Sequence, residues 1–194
     1  TQSRSSAASD VYKRQVRHLS GGQIRTNEYK IASGTSSNIF SGDFVKLLAT
    51  GYIDVAAAGN RILGVFAGCQ FTASDGEVKF ARYFPTGTTT QGSGDVTAYI
   101  YDDPSIVYAI QSAGSADFAD IGNLADHVAG TGDTSTGQSK FEISGTTGTG
   151  TAGMRILGLY ETPKNAFGTN GILEATIHEH ELNQHIDADG TVGV

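Results

Sequence analysis

The segment Ala58-Gly59-Asn60-Arg61-Ile62-Leu63-Gly64-Val65-Phe66 returns later as Ala152-Gly153-Met154-Arg155-Ile156-Leu157-Gly158-Leu159-Tyr160. Both read Ala-Gly-x-Arg-Ile-Leu-Gly, then an aliphatic and an aromatic residue. A glycine turn that feeds an apolar run too short for a helix, ending in β-formers, predicts a buried strand. A repeat of this kind predicts a repeated structural unit if its surroundings repeat as well. They do. Tyr29-x-Ile31-x-Ser33 is matched by Tyr108-x-Ile110-x-Ser112, Gly42-Asp43 by Gly122-Asn123, and Gly76-Glu77-Val78 by Gly171-Ile172-Leu173, in the same order. The reading is an internal duplication in which Ile62 and Ile156 occupy equivalent, buried positions. Arg61 and Arg155 stand at the two strand entrances, where each is expected to pair with a carboxylate or a turn carbonyl. The structural repeat is thus Arg61, Ile62, Leu63, Gly64 and Arg155, Ile156, Leu157, Gly158.

Composition agrees with an all-β chain. There are 26 Gly and only 3 Pro, and hardly any stretch has the Ala/Leu/Glu/Lys character of a helix. The expected fold is a duplicated β-barrel or sandwich module with Gly/Thr-rich loops and at most one short helix. Ala116–His127 is the one helical candidate, and Gly122 within it limits the expectation to a single turn. The chain divides into a leader (1–15), an N-terminal arm (16–26), a first β module (27–95), a connecting hairpin (96–107), a second module (108–183) and a flexible tail (184–194). Residues 5–15, Ser-Ser-Ala-Ala-Ser-Asp-Val-Tyr-Lys-Arg-Gln, resemble the in-frame translation of a sequencing adapter, and the leader is left out of fold reasoning.

The charge balance is acidic, with 13 Lys/Arg against 20 Asp/Glu and a formal net charge of −7. From Val16 onward the count is 10 against 19. Phosphate neutralisation supplies most nucleic-acid affinity, so no nucleic-acid partner is expected. No apolar run is long enough to span a membrane as a helix. Cys69 is the single cysteine, which rules out an internal disulfide framework, and its apolar surroundings predict a buried, inert thiol.

The candidate sites carry little chemistry. Gly145–Gly150 is glycine-rich like a phosphate loop but lacks the Gly-Lys-Ser/Thr that follows in one. Asp187-Ala188-Asp189-Gly190 resembles the start of a calcium loop without the later glutamate. His178 and His180 would share one face if they lie on a strand and are the metal candidates, with His127 or His185 as a third ligand. Asp102-Asp103-Pro104 reads as turn chemistry. No nucleophile elbow is present. No catalytic residue, metal or cofactor is expected, and the chain is not expected to be an enzyme.

Several segments carry a resemblance. They are Val16–Gly21, Asn27–Gly34, Gly42–Lys46, Ile62–Gly68, Tyr83-Phe84-Pro85, Val96–Pro104, Ala125–Gly130 and His178-Glu179-His180. Through them the chain resembles a family of small virion proteins of marine tailed bacteriophages. The resemblance implies a capsid-associated protein of the decoration or cement type on the outer surface of the head. The major capsid protein would then be its partner, and a homo-oligomer, with a trimer favoured by capsid symmetry, its state. Arg17, His18 and Arg25, basic groups in an acidic chain, are the expected capsid contact. The alternative is a head-fibre or tail-associated module that binds glycan. Exposure of Tyr83, Phe84 and Tyr101 would favour that reading, and their burial would count against it.

Overall fold

In the computed structural model, residues 14–148 and 153–183 are described. Of the leader expected at 1–15, residues up to 13 lie outside the described residues, as do the tail from 184 with Asp187–Gly190, and His185, whereas Arg14 and Gln15 pair with Ala109 and Tyr108. The chain is all-β, built of antiparallel sheets. Its first half runs β1 (Arg14–His18), β2 (Asn27–Ile31), β3 (Ile39–Phe40), β4 (Phe44–Leu47), β5 (Ile53–Val55), β6 (Gly64–Thr72), β7 (Val78–Ala81), β8 (Tyr83–Phe84) and β9 (Val96–Tyr101). The second half runs β10 (Ile106–Gln111), β11 (Ser115–Ala116), β12 (Leu124–Ala125), β13 (His127–Val128), β14 (Glu142–Ile143), β15 (Met154–Leu159), β16 (Gly168–Thr169) and β17 (Ile172–Ile177). Helical structure among the described residues is limited to 3₁₀ turns at Gln91–Ser93 and Phe118–Asp120. The second falls within the stretch expected to make one turn. Asp117 and Asp120 cap it reciprocally, which offsets the poor helix propensity around Gly122.

The first sheet has the order β2-β9-β6-β4-β5, with β7 paired to the far end of β6. A parallel bridge from Lys30 to Tyr52 brings its two edges together and closes it into a ring. The second sheet has the order β10-β17-β15-β12, with β1 laid on the outside of β10. The chain continues from β12 into β13, which pairs with β14, and a parallel bridge from Ser112 to Ile143 returns to β10. Both rings therefore follow the same strand order. β9 belongs to the first ring and β10 to the second, so the hairpin expected to connect two modules instead supplies a wall strand to each.

The common order aligns the repeat differently from the sequence echo. In the first ring the N–H of Gly42 donates to the carbonyl of Phe66 (2.8 Å) and the N–H of Phe66 to the carbonyl of Asp43 (2.9 Å). In the second, Gly122 donates to Ile156 (2.9 Å) and Ile156 to Asn123 (3.1 Å). A bulge follows in each strand, between Phe66 and Gly68 and between Ile156 and Gly158. The position equivalent to Ile156 is thus Phe66 and not Ile62. Ile62 precedes β6 and bridges to His180. Both isoleucines are buried, at 0% and 1% exposure, but Ile62 lies on the opposite face of the wall from Phe66, in the core that also holds Ile156. Gly171-Ile172-Leu173 likewise opens the counterpart of β9, not of β7.

The reason for the slip lies in packing. Val45, Leu63 and Phe66 point into the core of the first ring. Their neighbours Phe44, Ile62 and Val65 point the other way, into a core shared with Tyr108, Ile110, Ile156 and Ala175. The first ring's wall at β4 and β6 is buried on both faces, so its sequence is a continuous apolar run. β15 is buried on one face at Met154 and Ile156 and alternates with half-buried residues. The two Arg-Ile-Leu-Gly segments are alike in letters and unlike in environment.

Cys69 is 2% exposed, and burial pushes its thiol up to about 12. The native protein is expected to resist thiol reagents at neutral pH, with labelling appearing only as urea unfolds it; mass spectrometry after a short pulse of alkylating reagent checks this.

Candidate functional site

The buried polar side chains gather where the two rings meet. Asp102 directly follows β9 and is 5% exposed. Its carboxylate accepts from Asn27 Nδ2 at 2.9 and 3.0 Å and from the Tyr29 hydroxyl at 2.6 Å. Burial, reinforced by the Asp102 charge, raises the Tyr29 pKa far above that of a free phenol, so this hydroxyl stays a donor. The next residue, Asp103, does the turn chemistry expected of it, accepting from the N–H of Ser105 at 2.8 Å. That hydrogen bond, with the His18 ring, holds its carboxyl below the usual range.

The segment after β17 closes the joint from the other side. Ile62 donates its N–H to the carbonyl of Glu179 (2.9 Å), and Glu181 donates to the carbonyl of Ile62 (3.1 Å). Both carboxylate oxygens of Glu181 accept from the N–H of Leu47, at 2.9 and 3.0 Å. His180 between them is fully buried, and its Nδ1 accepts from the N–H of Leu182 at 3.1 Å. Burial lowers its pKa, and Arg61 adds to this, while Asp102 and Asp103 act in the opposite direction. Glu181 is raised by burial, opposed by the Leu47 hydrogen bond and by Arg61 and Lys46.

A second joint uses one carboxylate. Asp126 Oδ1 accepts from the N–H of Gly59 (3.4 Å) and from that of Gly153 (3.3 Å). These are the glycines of the two Ala-Gly pairs in the sequence, so the repeated segments meet in space at Asp126. His127 beside it is fully buried, pairs through Nε2 with the carbonyl of Ala56 (3.2 Å), and stacks on Phe141.

The remaining sequence candidates fall as follows. β17 ends at Ile177, and His178 donates its N–H to Gly153 (2.8 Å) as the chain turns toward Ile62. His178 and His180 therefore do not project together from a strand, and among the described residues no three His, Cys, Asp or Glu side chains group as a metal site requires. Arg155 donates to the carbonyl of Gly122 at 2.9 Å. Arg17 pairs with Glu174 at 2.9 Å, and His18 Nε2 with Asp103 at 2.9 Å. The His18 Nδ1 accepts from the N–H groups of Ser20 and Gly22, so this stretch is an anchored strand and turn of its own chain. Arg25 is exposed. Phe84 is buried, Tyr83 is half-buried and stacked on Phe40, and Tyr101 packs against the second core. No helix among the described residues is long and apolar enough to cross a membrane.

Sequence reasoning missed Asp102 and Asp126 as joints. The partners of Asp102 lie 73 and 75 residues away, which no local pattern reveals. Asp102→Ala is expected to cost about 2 kcal/mol, because hydrogen bonds to a charged group are lost, from the exposed Asn27 and the half-buried Tyr29. Tyr29→Phe should cost about half of that, and urea unfolding midpoints measure both.

His180 also sets a pH dependence. Its folded pKa lies below the ordinary value of 6.5, so the unfolded chain takes up the proton first as pH falls. Stability is expected to decline below about pH 6.5 until the lowered folded value is passed. The raised Glu181 acts with the opposite sign nearer the carboxylate range, where the folded state takes up the proton first. Urea midpoints at pH 7.5 and pH 6, compared with those of His180→Gln, read the histidine part, and the variant should show a flatter profile.

Comparison with protein-family models, with curated proteins and with solved structures gave no match.

Proposed function

We propose that this chain is a non-enzymatic virion structural protein, a decoration or cement protein that binds the outer surface of a tailed-phage head. The observation that carries the reading is where the polar side chains go. Asp102, Asp126 and Glu181 each tie together segments far apart in sequence, and His180, buried beside Glu181, turns its ring to the main chain of Leu182. Such a molecule is built for cohesion, which suits a protein that reinforces a lattice outside a cell. The resemblance of its segments to virion proteins of marine tailed phages supports the same reading, and its acidic balance suits a surface facing away from packaged nucleic acid.

In this reading the common strand order of the two rings descends from an internal duplication. The major capsid protein is the partner, and Arg25 is the exposed basic group available to it, since Arg17 and His18 are engaged within the chain. The glycan-binding alternative is less favoured because Tyr83, Phe84 and Tyr101 form no exposed aromatic platform. Sedimentation with heads that lack the protein tests the proposal. Saturable binding in a fixed ratio to capsid subunits is the expected result, weakened by Arg25→Glu. Absence of binding would overturn the decoration role, and wild-type affinity of Arg25→Glu would overturn the contact.

A further inference from the structure

The strand β7 is the least covered part of the first ring. It pairs on one side with β6, in the register Thr72↔Val78, Phe71↔Lys79, Gln70↔Phe80 and Cys69↔Ala81. Val78 is 54% exposed and Phe80 74% exposed, the latter the most exposed large apolar side chain among the described residues. An open strand edge with apolar side chains is a template for another strand.

The hydrogen-bond parity of this edge can be assigned. The N–H of Ala73 donates to the carbonyl of Glu77 at 2.8 Å, so Glu77 turns its main-chain groups toward β6. Antiparallel ladders alternate, so Lys79 and Ala81 also turn inward, while Val78 and Phe80 direct their N–H and C=O groups to the open side. Three two-fold registers use those groups. Centred on Lys79, the pairing sets two lysines against each other, which is unfavourable. Centred on Phe80, it sets Lys79 against Ala81, so the Lys79–Glu77 contact of 3.5 Å within each chain gains no counterpart across the ladder. Centred on Val78, it sets Val78 on its own copy, Glu77 opposite Lys79 at both ends, and Phe80 over Gly76. Opposite charges directly across a ladder favour pairing, and Phe80 meets no side chain at Gly76, which lies in the turn before β7.

We propose that β7 is a homodimer interface, in which two copies join their β7 edges antiparallel about Val78 and the first sheets run on from one chain into the other. The occupant is a second copy because the edge is charge-complementary to itself in one register. The contact is isologous, so it closes at two chains and does not propagate. It stands independently of the capsid role.

The test is the mass of the full chain in solution, with charge-swap variants. Wild type is expected to approach twice the chain mass of 20.2 kDa as concentration rises in sedimentation equilibrium. Lys79→Glu should shift it to monomer, and the double variant Glu77→Lys/Lys79→Glu should restore the dimer. Val78→Cys should form a disulfide-linked dimer on mild oxidation, because hydrogen-bonded antiparallel partners lie about 5.5 Å apart at Cα. Phe80→Cys, far from its own copy in this register, should cross-link far more slowly. A monomer at all concentrations, a trimeric mass, or a Lys79→Glu variant that dimerises like wild type would overturn the proposal. Circular dichroism of each variant separates loss of pairing from loss of folding.

Discussion

Gly64→Ala is expected to destabilise the protein by about 3 kcal/mol or more, while Gly158→Ala moves it by no more than about 0.5 kcal/mol. The two glycines occupy the same place in the Ala-Gly-x-Arg-Ile-Leu-Gly repeat, yet their surroundings differ. A Cβ on Gly64 would lie 2.3 Å from the carbonyl oxygen of Tyr101 and 2.9 Å from Ile100 Cγ2. The first of these is main chain in β9, so relief requires moving the strand that joins the two rings. A Cβ on Gly158 meets nothing within 4 Å. Thermal unfolding should separate the pair clearly, with Gly64→Ala lowering Tm by roughly 6–12 °C. Equal effects at the two positions would show that the close approach at Gly64 has been misread.

Phe44→Ala is expected to cost about 3–5 kcal/mol, measured by urea unfolding. Phe44 is fully buried and packs edge-on to Tyr108, His127 and Phe141 with ring centroids 6.3, 5.4 and 5.9 Å away. All three belong to the second ring, although Phe44 belongs to the first. Truncation therefore opens a cavity in the core shared by both halves. Phe44→Leu keeps most of the volume and should cost no more than about half as much. A loss under about 1 kcal/mol for Phe44→Ala would mean that the wall between the rings is not packed as described.

Much of the fold was legible because its local signals are physical ones. The apolar run that follows a glycine turn marked β6, and the scarcity of helix-forming stretches marked the all-β class. The capped turn at Phe118–Asp120 fell within the one stretch with helical spacing. Grouping the strands was harder. The first module was expected to end at residue 95, but β9 pairs with β2 and β6, across separations that carry no sequence signature. The register of the repeat was misplaced for a related reason. Both faces of the wall at β4 and β6 are buried, so an apolar run there can be shifted without exposing a side chain, and letters alone do not fix its partners. Of the candidate site, Asp103 was recognisable from its place before Pro104, whereas Asp102 and Asp126 take their roles from partners that only the folded chain supplies.

The doubly buried wall at β4 and β6 also makes the two rings thermodynamically inseparable. Neither half can melt first, because opening either one uncovers a face that the other has nothing to replace. Heat or denaturant should produce one transition, with calorimetric and van't Hoff enthalpies in agreement. A half-length gene ending after β9 would present Phe44, Ile62 and Val65 to water and yield an aggregating fragment. Whatever the ancestry of the repeated pattern, its two parts now survive or fail as one object.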